Sequence, residues 1–215
     1  MATWRIAFIG DSMVNGTGDP DCLGWTGRVC AAAIAQGHDI TYYNLGVRRE
    51  TSADIAARWA SETACRLPAD CNPAMVFCFG VNDTTIETVK DSEGIEGDRL
   101  RVVPSDSLRY ARQILTAASQ RCPVLMVGPP PIADPDQNMR IAALSYQLAH
   151  LCHTLAIPFL DIFTPLQQSL VWMQEVGQYD GAHPAAEGYG VFAQWVSDWP
   201  AWKKLLSGDR DLSGL

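Results

Sequence analysis

The seven cysteines of this chain include no Cys-x-x-Cys pair, so the paired spacing of a structural zinc site or a dithiol redox centre is missing. Their number is odd, which argues against a closed disulfide framework and for reduced thiols in a cytoplasmic protein. Cys78 and Cys122 border apolar strands and are expected as small core residues. Cys65 and Cys71 are close enough to pair only if the protein met oxidising conditions. Basic residues are also scarce, 16 Lys and Arg against 24 Asp and Glu, for a net charge of −8. That argues against an extended nucleic-acid surface, which needs clustered cations to displace counterions. Apolar runs such as Val29 to Ala35 fall far short of the roughly 20 residues that cross a bilayer. With the first strand starting by Trp4, no signal peptide is expected. Gly16-Thr17-Gly18-Asp19-Pro20 and Gly24-Trp25 match neither the Walker phosphate loop nor the dinucleotide fingerprint. There is no internal repeat, interdomain linker or low-complexity tract.

What remains is ordinary globular chemistry. With 215 residues, 47% hydrophobic and 19% charged, the chain can build one larger α/β domain with a substantial core. Short apolar runs at about 4–9, 39–44, 74–79, 123–127 and 157–161 alternate with helical patterns near 24–36, 52–66, 105–120, 137–155 and 185–203. This alternation predicts a parallel sheet buried on both faces. Gly37 stands where a C-terminal cap belongs, Ser52 is placed to cap the second helix, Ser105 follows Pro104 ahead of the third, and Pro184 opens the last. Trp195, Trp199 and Trp202 are spaced as one helix face packed on the sheet. The charged stretch from Thr84 to Val103 is either a solvated surface excursion or a lid bordering the site. We expect one domain over residues 1–206 and a frayed tail over 207–215.

Gly10-Asp11-Ser12 follows the first strand and sets a serine hydroxyl at the carboxyl edge of the sheet, where open α/β sheets keep their chemistry. A serine needs a base to take its proton. His183 has the best context of the four histidines, because Asp180 precedes it by three residues. On a tight turn that spacing lets the carboxylate hold Nδ1–H and leaves Nε2 facing the serine. Gly80-Val81-Asn82-Asp83 follows the third strand and projects the Asn82 amide over the same edge. Asn44 to Thr51 follows the second strand and can supply a backbone N–H. Such donors stabilise an oxyanion by about 2.7–4 kcal/mol each. Asp11 and Asp83 flank these positions and are expected to brace loops.

These four blocks, in this order and with these separations, resemble the SGNH or GDSL-type hydrolases over residues 4 to about 200. The resemblance implies a three-layer α/β/α, flavodoxin-like fold with a five-stranded parallel sheet of order 2-1-3-4-5. It implies a metal-free, cofactor-free serine esterase or lipase with Ser12 as nucleophile, His183 as base and Asp180 as its orienter. The oxyanion donors would be the Ser12 N–H, a second-block N–H and the Asn82 side chain. The second block departs from the family, which often carries a glycine where this chain has Arg49. The Arg49 N–H can still donate if its backbone suits a side chain, and Gly46 is the alternative donor. The Arg49 side chain then stands at the site's entrance, available to an anionic substrate, unless it or Arg48 pairs with an acid such as Glu50 or Asp83.

The reading is therefore hydrolysis of a small-molecule ester, most simply one with a short acyl group. Trp172, Met173 and Ile132 are candidate pocket residues, and Pro129-Pro130-Pro131 should wall one side. Acyl transfer or deacetylation on a carbohydrate or small alcohol would use the same residues. A non-catalytic binding domain and a metal-dependent phosphoesterase built on Asp11, Asp83, Asp180 and His183 are weaker alternatives. His150 and His153, a helical turn apart, are expected to pack or to face solvent.

Overall fold

A computed structural model describes residues 3–68, 70–90 and 93–208. In chain order the elements are β1 (Thr3–Gly10), α1 (Ser12–Asn15), α2 (Gly24–Ala35), β2 (Asp39–Gly46), α3 (Ser52–Arg66) and β3 (Asn72–Cys78). A 3-10 turn (Asn82–Thr84), β4 (Ile86–Lys90), β5 (Glu96–Leu100), α4 (Pro104–Ser119), β6 (Val124–Val127) and α5 (Pro135–Thr154) follow. The chain then forms β7 (Phe159–Leu160), α6 (Phe163–Gln167), α7 (Leu170–Gln178), α8 (Ala186–Asp198) and α9 (Pro200–Leu206).

The main sheet has the order β2-β1-β3-β6-β7, with every neighbouring pair parallel. Counted within that sheet, this is the expected 2-1-3-4-5. Successive side chains on a strand point to opposite faces, and the core divides accordingly. Ile6, Phe8, Ala74, Val76, Leu125 and Val127 pack under α2 and α8. Ala7, Ile9, Met75, Phe77, Val124 and Met126 pack under α3, α4 and α5. The first layer is tied by Trp25 of α2 stacked on Phe192 of α8, ring centroids 4.7 Å apart. The result is the three-layer α/β/α fold, with both faces of the sheet covered.

Local details depart from the expectations. Thr51, not Ser52, caps α3. Its side chain accepts from the Asp54 N–H while Asp54 reaches back to the Thr51 N–H, a reciprocal capping box. α4 starts with Pro104 at its first turn and has no side-chain cap. The last helix is two helices, because Pro200 has no N–H to donate and starts α9. The tryptophan spacing therefore does not describe one face. Trp199 and Trp202 are buried, but Trp195 is half exposed. The Thr84–Val103 stretch holds a two-stranded antiparallel hairpin, β4 with β5. All seven cysteines are free, and His150 stacks edge-on against Tyr146 on α5. Ser207 and Gly208 form a turn after α9, and residues 209–215 of the expected tail lie outside the described residues.

Candidate active site

β1 delivers Gly10-Asp11-Ser12 to the carboxyl edge of the sheet, between β2 and β3. The chain then turns into the short helix α1. Asp11 is its cap and accepts from the Met13 N–H at 2.9 Å. Ser12 is its first residue and is nearly buried. The first N–H groups of a helix have no partner inside the helix. That of Ser12 has no acceptor among the described residues.

The second half of the site comes from the turn between α7 and α8. One Asp180 carboxylate oxygen accepts from the N–H groups of Ala182 and His183, at 3.0 and 2.9 Å. The other lies 2.7 Å from His183 Nδ1. A carboxylate only accepts, so Nδ1 carries the proton and Nε2 of the neutral ring is an acceptor. Nε2 lies 2.7 Å from Ser12 Oγ and takes the hydroxyl proton in a hydrogen bond. Partial burial works against the Asp180 charge. The His183 ring bond and the two backbone N–H groups outweigh it and hold this carboxyl below its ordinary range.

The turn is fixed from outside by Glu175, whose carboxylate accepts from the N–H groups of Ala185 and Gly188 at 2.9 and 2.7 Å. It caps α8, whose N-cap residue Ala185 has no side chain that can do so. Gly18, at φ +89°, passes so close that a Cβ there would stand 2.8 Å from Pro184 O and 3.3 Å from His183 Cβ.

The second block joins the first through Asn44. Its amide donates to Val14 O at 2.8 Å, and its oxygen accepts from the Gly46 N–H at 2.9 Å. The Gly46 N–H is therefore occupied. A Cβ at Gly46 would fall 2.1 Å from Asn15 N, so close backbone packing requires that glycine. Arg49 is left-handed at φ +66°, a conformation that costs a side-chain-bearing residue about 1–2 kcal/mol. Its N–H has no acceptor among the described residues. The two alternatives for a second-block donor are thus unequal. Arg49 pairs across 3.6 Å with Glu87 of β4, rather than with Glu50 or Asp83. Glu50 instead pairs with Arg58, a residue sequence reasoning missed. From α3, Arg58 also donates to Gly10 O and Leu45 O at 3.1 and 2.9 Å, holding together the ends of β1 and β2.

The third block closes on the second. Asn82 Nδ2 donates to Glu50 O at 2.9 Å and makes a long 3.4 Å contact with Asp11 Oδ2. Asp83 accepts from the Ser52 N–H at 2.7 Å, bracing the loop as expected. Burial pushes the Asp11 carboxyl up to about 7. The Met13 N–H offsets part of this, and the charges of Asp83 and Glu50 add to it. Burial also raises Asp83, against the hydrogen bonds it accepts.

Trp172 is fully buried between Tyr189 and Phe192, with its indole N–H on Pro131 O at 3.0 Å. Met173 packs against the same core. Ile132 is nearly buried, with its N–H and C=O both held by Asn138. Pro129 to Pro131 are buried after β6, and the next residue but one, Ala133, bonds Gly181 O in the His183 turn. Among the described residues, no group of three or more His, Cys, Asp or Glu side chains is gathered as a metal site. No helix there is long and apolar enough to cross a membrane.

No curated protein sequence matches the chain. Solved structures match in fold. A lipase/acylhydrolase from Enterococcus faecalis is 19% identical, with a TM-score of 0.72 over 97% of both chains. The acetylxylan esterase Axe2 of Geobacillus stearothermophilus is 15% identical, with a TM-score of 0.71 over 90% of this chain and 92% of its own. The crystal structure of TesA is 20% identical, with a TM-score of 0.70 over 94% and 99%. The family model of the GDSL-like lipases and acylhydrolases matches residues 8–191, from inside β1 into α8. That span takes in all four sequence blocks and the hydrogen-bonded chain from Asp180 through His183 to Ser12, and this protein belongs to the GDSL-like lipase/acylhydrolase family.

Proposed function

We propose that the protein hydrolyses carboxylic esters with short acyl groups through an acyl-Ser12 intermediate. The observation that carries this is the continuous chain Asp180–His183–Ser12, with both side-chain links at 2.7 Å. Ser12 Oγ attacks the acyl carbonyl while His183 Nε2 takes its proton. Asp180 holds the ring in the tautomer that leaves Nε2 free and stabilises the imidazolium that results. The negative charge on the tetrahedral oxygen is met by the N–H groups of Ser12 and Arg49 and by the second Nδ2–H of Asn82. That proton gives up only a long contact with Asp11. His183 then protonates the leaving alcohol as the carbon–oxygen bond breaks. Water, deprotonated by His183, attacks the acyl-serine, releases the acid and returns the proton to Ser12.

The charged groups flanking the second block support short acyl chains. Arg49 lies within it and Glu87 and Arg101 border it, and Trp172 is committed to the core rather than to an acyl channel. The bound alcohol is read as a small molecule, including an acetylated sugar. The domain is read as residues 1–206, and the free thiols fit a cytoplasmic setting. Turnover of acetyl, butyryl and octanoyl p-nitrophenyl esters and of acetylated sugars, with Ser12→Ala in parallel, tests the reading. Activity should fall with acyl length and vanish in the variant. A folded Ser12→Ala protein with full turnover would overturn it.

A further inference from the structure

The backbone around Arg49 is unusually well held for a loop. Three contacts fall on almost consecutive peptide groups. Arg101 Nη1 donates to Arg49 O at 2.7 Å, Asn82 Nδ2 donates to Glu50 O at 2.9 Å, and Asp83 accepts from the Ser52 N–H at 2.7 Å. The second and third come from the third block itself. The first comes from just beyond the β4–β5 hairpin, where Arg101 continues the ladder by donating its N–H to Thr85 O at 2.9 Å. The next residue, Val102, donates to Asp83 O at 3.2 Å, so the hairpin both leaves and rejoins the chain at the third block.

Within the hairpin, Glu87 lies opposite Arg99. Arg101, two residues on, is its diagonal neighbour on the same face. The Arg101 Nε lies 3.2 Å from Glu87 Oε1, and Arg49 Nη2 reaches that same oxygen across 3.6 Å. Arg101 is mostly buried, whereas Arg49 is largely exposed. One guanidinium therefore spans a carboxylate and a backbone carbonyl, which its rigid fork of donors suits and a lysine ammonium does not. The peptide it grips belongs to the one second-block residue in the left-handed region. A glycine would adopt that conformation freely, but an arginine must be held there.

We propose that Arg101 is a positioning residue that, braced by Glu87, holds Arg49 in its left-handed conformation and so aims the Arg49 N–H at the developing oxyanion. The hairpin thereby supplies from outside the restraint that makes a side chain tolerable at this position. This inference rests on the proposed role of the Arg49 N–H.

The test is a double-mutant cycle, read as kcat and KM on an acetyl ester, with thermal melting to follow folding. Arg101→Ala should lower kcat about tenfold and leave KM within about twofold, because the interaction matters for the transition state. In the Arg49→Gly background, Arg101→Ala should change kcat by less than about twofold. Arg101→Lys should recover little, since an ammonium cannot serve both partners. Should Arg101→Ala fail to fold, Glu87→Gln removes one arm of the clamp, and its smaller loss of kcat should likewise shrink in the Arg49→Gly background. A kcat loss of equal size in both backgrounds, or no loss in either, overturns the inference while inactive Ser12→Ala leaves the esterase reading standing. Full turnover by Ser12→Ala removes both.

Discussion

Replacing Asp11 by asparagine isolates a buried carboxyl that the site tolerates at a cost. The carboxyl is almost completely shielded from water, and the negative neighbours Asp83 and Glu50 oppose its ionisation further. In the unfolded chain it titrates near 3.8, and in the folded protein at about 7. Between those values the native state keeps a proton that the unfolded state has lost. Raising the pH through this window therefore lowers stability. Integrated from pH 5.5 to 8, the loss is about 2 kcal/mol at 1.36 kcal/mol per pH unit. Asparagine is nearly isosteric, its oxygen can still accept from the Met13 N–H, and it cannot ionise. Urea unfolding of both proteins at pH 5.5 and pH 8 checks the prediction. The stability difference should move in favour of Asp11→Asn by about 2 kcal/mol at the higher pH. Parallel pH dependences within about 0.5 kcal/mol would refute the burial argument.

Asn82→Ala should lower kcat by roughly a hundredfold or more through loss of an oxyanion donor, and it should also leave Glu50 O unpaired. Steady-state kinetics decide it, and an unchanged kcat means the amide does not meet the oxyanion. Gly18→Ala should lower both Tm and kcat, because the new Cβ strains a φ of +89° and presses on Pro184 O and His183. Native-like kcat and Tm in that variant would show that the His183 turn yields freely.

The parts of this fold that sequence reveals are those built from local periodicity. Continuous runs such as Ile6-Ala7-Phe8-Ile9 announce a strand with two buried faces, and these residues do divide between the two cores. The strand order came from family resemblance, since parallel pairing joins residues as distant as Trp4 and Asn72. Ser12 and the Asp180–His183 pair were legible because a strand-end turn and a three-residue spacing determine their chemistry nearby.

Arg58, Glu175 and Arg101 were not legible. Each works on backbone groups brought to it by the tertiary fold, up to 52 residues away for Arg101 and Arg49. The burial of Trp172 was not legible for the same reason. Next to the Asp180–His183 turn it reads as a pocket wall, and only the packing of α7 beneath Pro131 gives its indole N–H a buried partner. The charged stretch after Thr84 reads as a solvated excursion or a lid, and charge pattern alone does not reveal the hairpin register that sets Arg101 beside Glu87.

The central claim is that Ser12 carries the acyl group during turnover. Rapid acid quenching during the first turnovers of p-nitrophenyl acetate, followed by peptide mapping with mass spectrometry, tests it most directly. We expect one acetyl group per chain, on the peptide containing Ser12 and on its hydroxyl, and none in Ser12→Ala. Steady turnover with the acetyl group on another residue, or undiminished turnover by Ser12→Ala, would contradict the account.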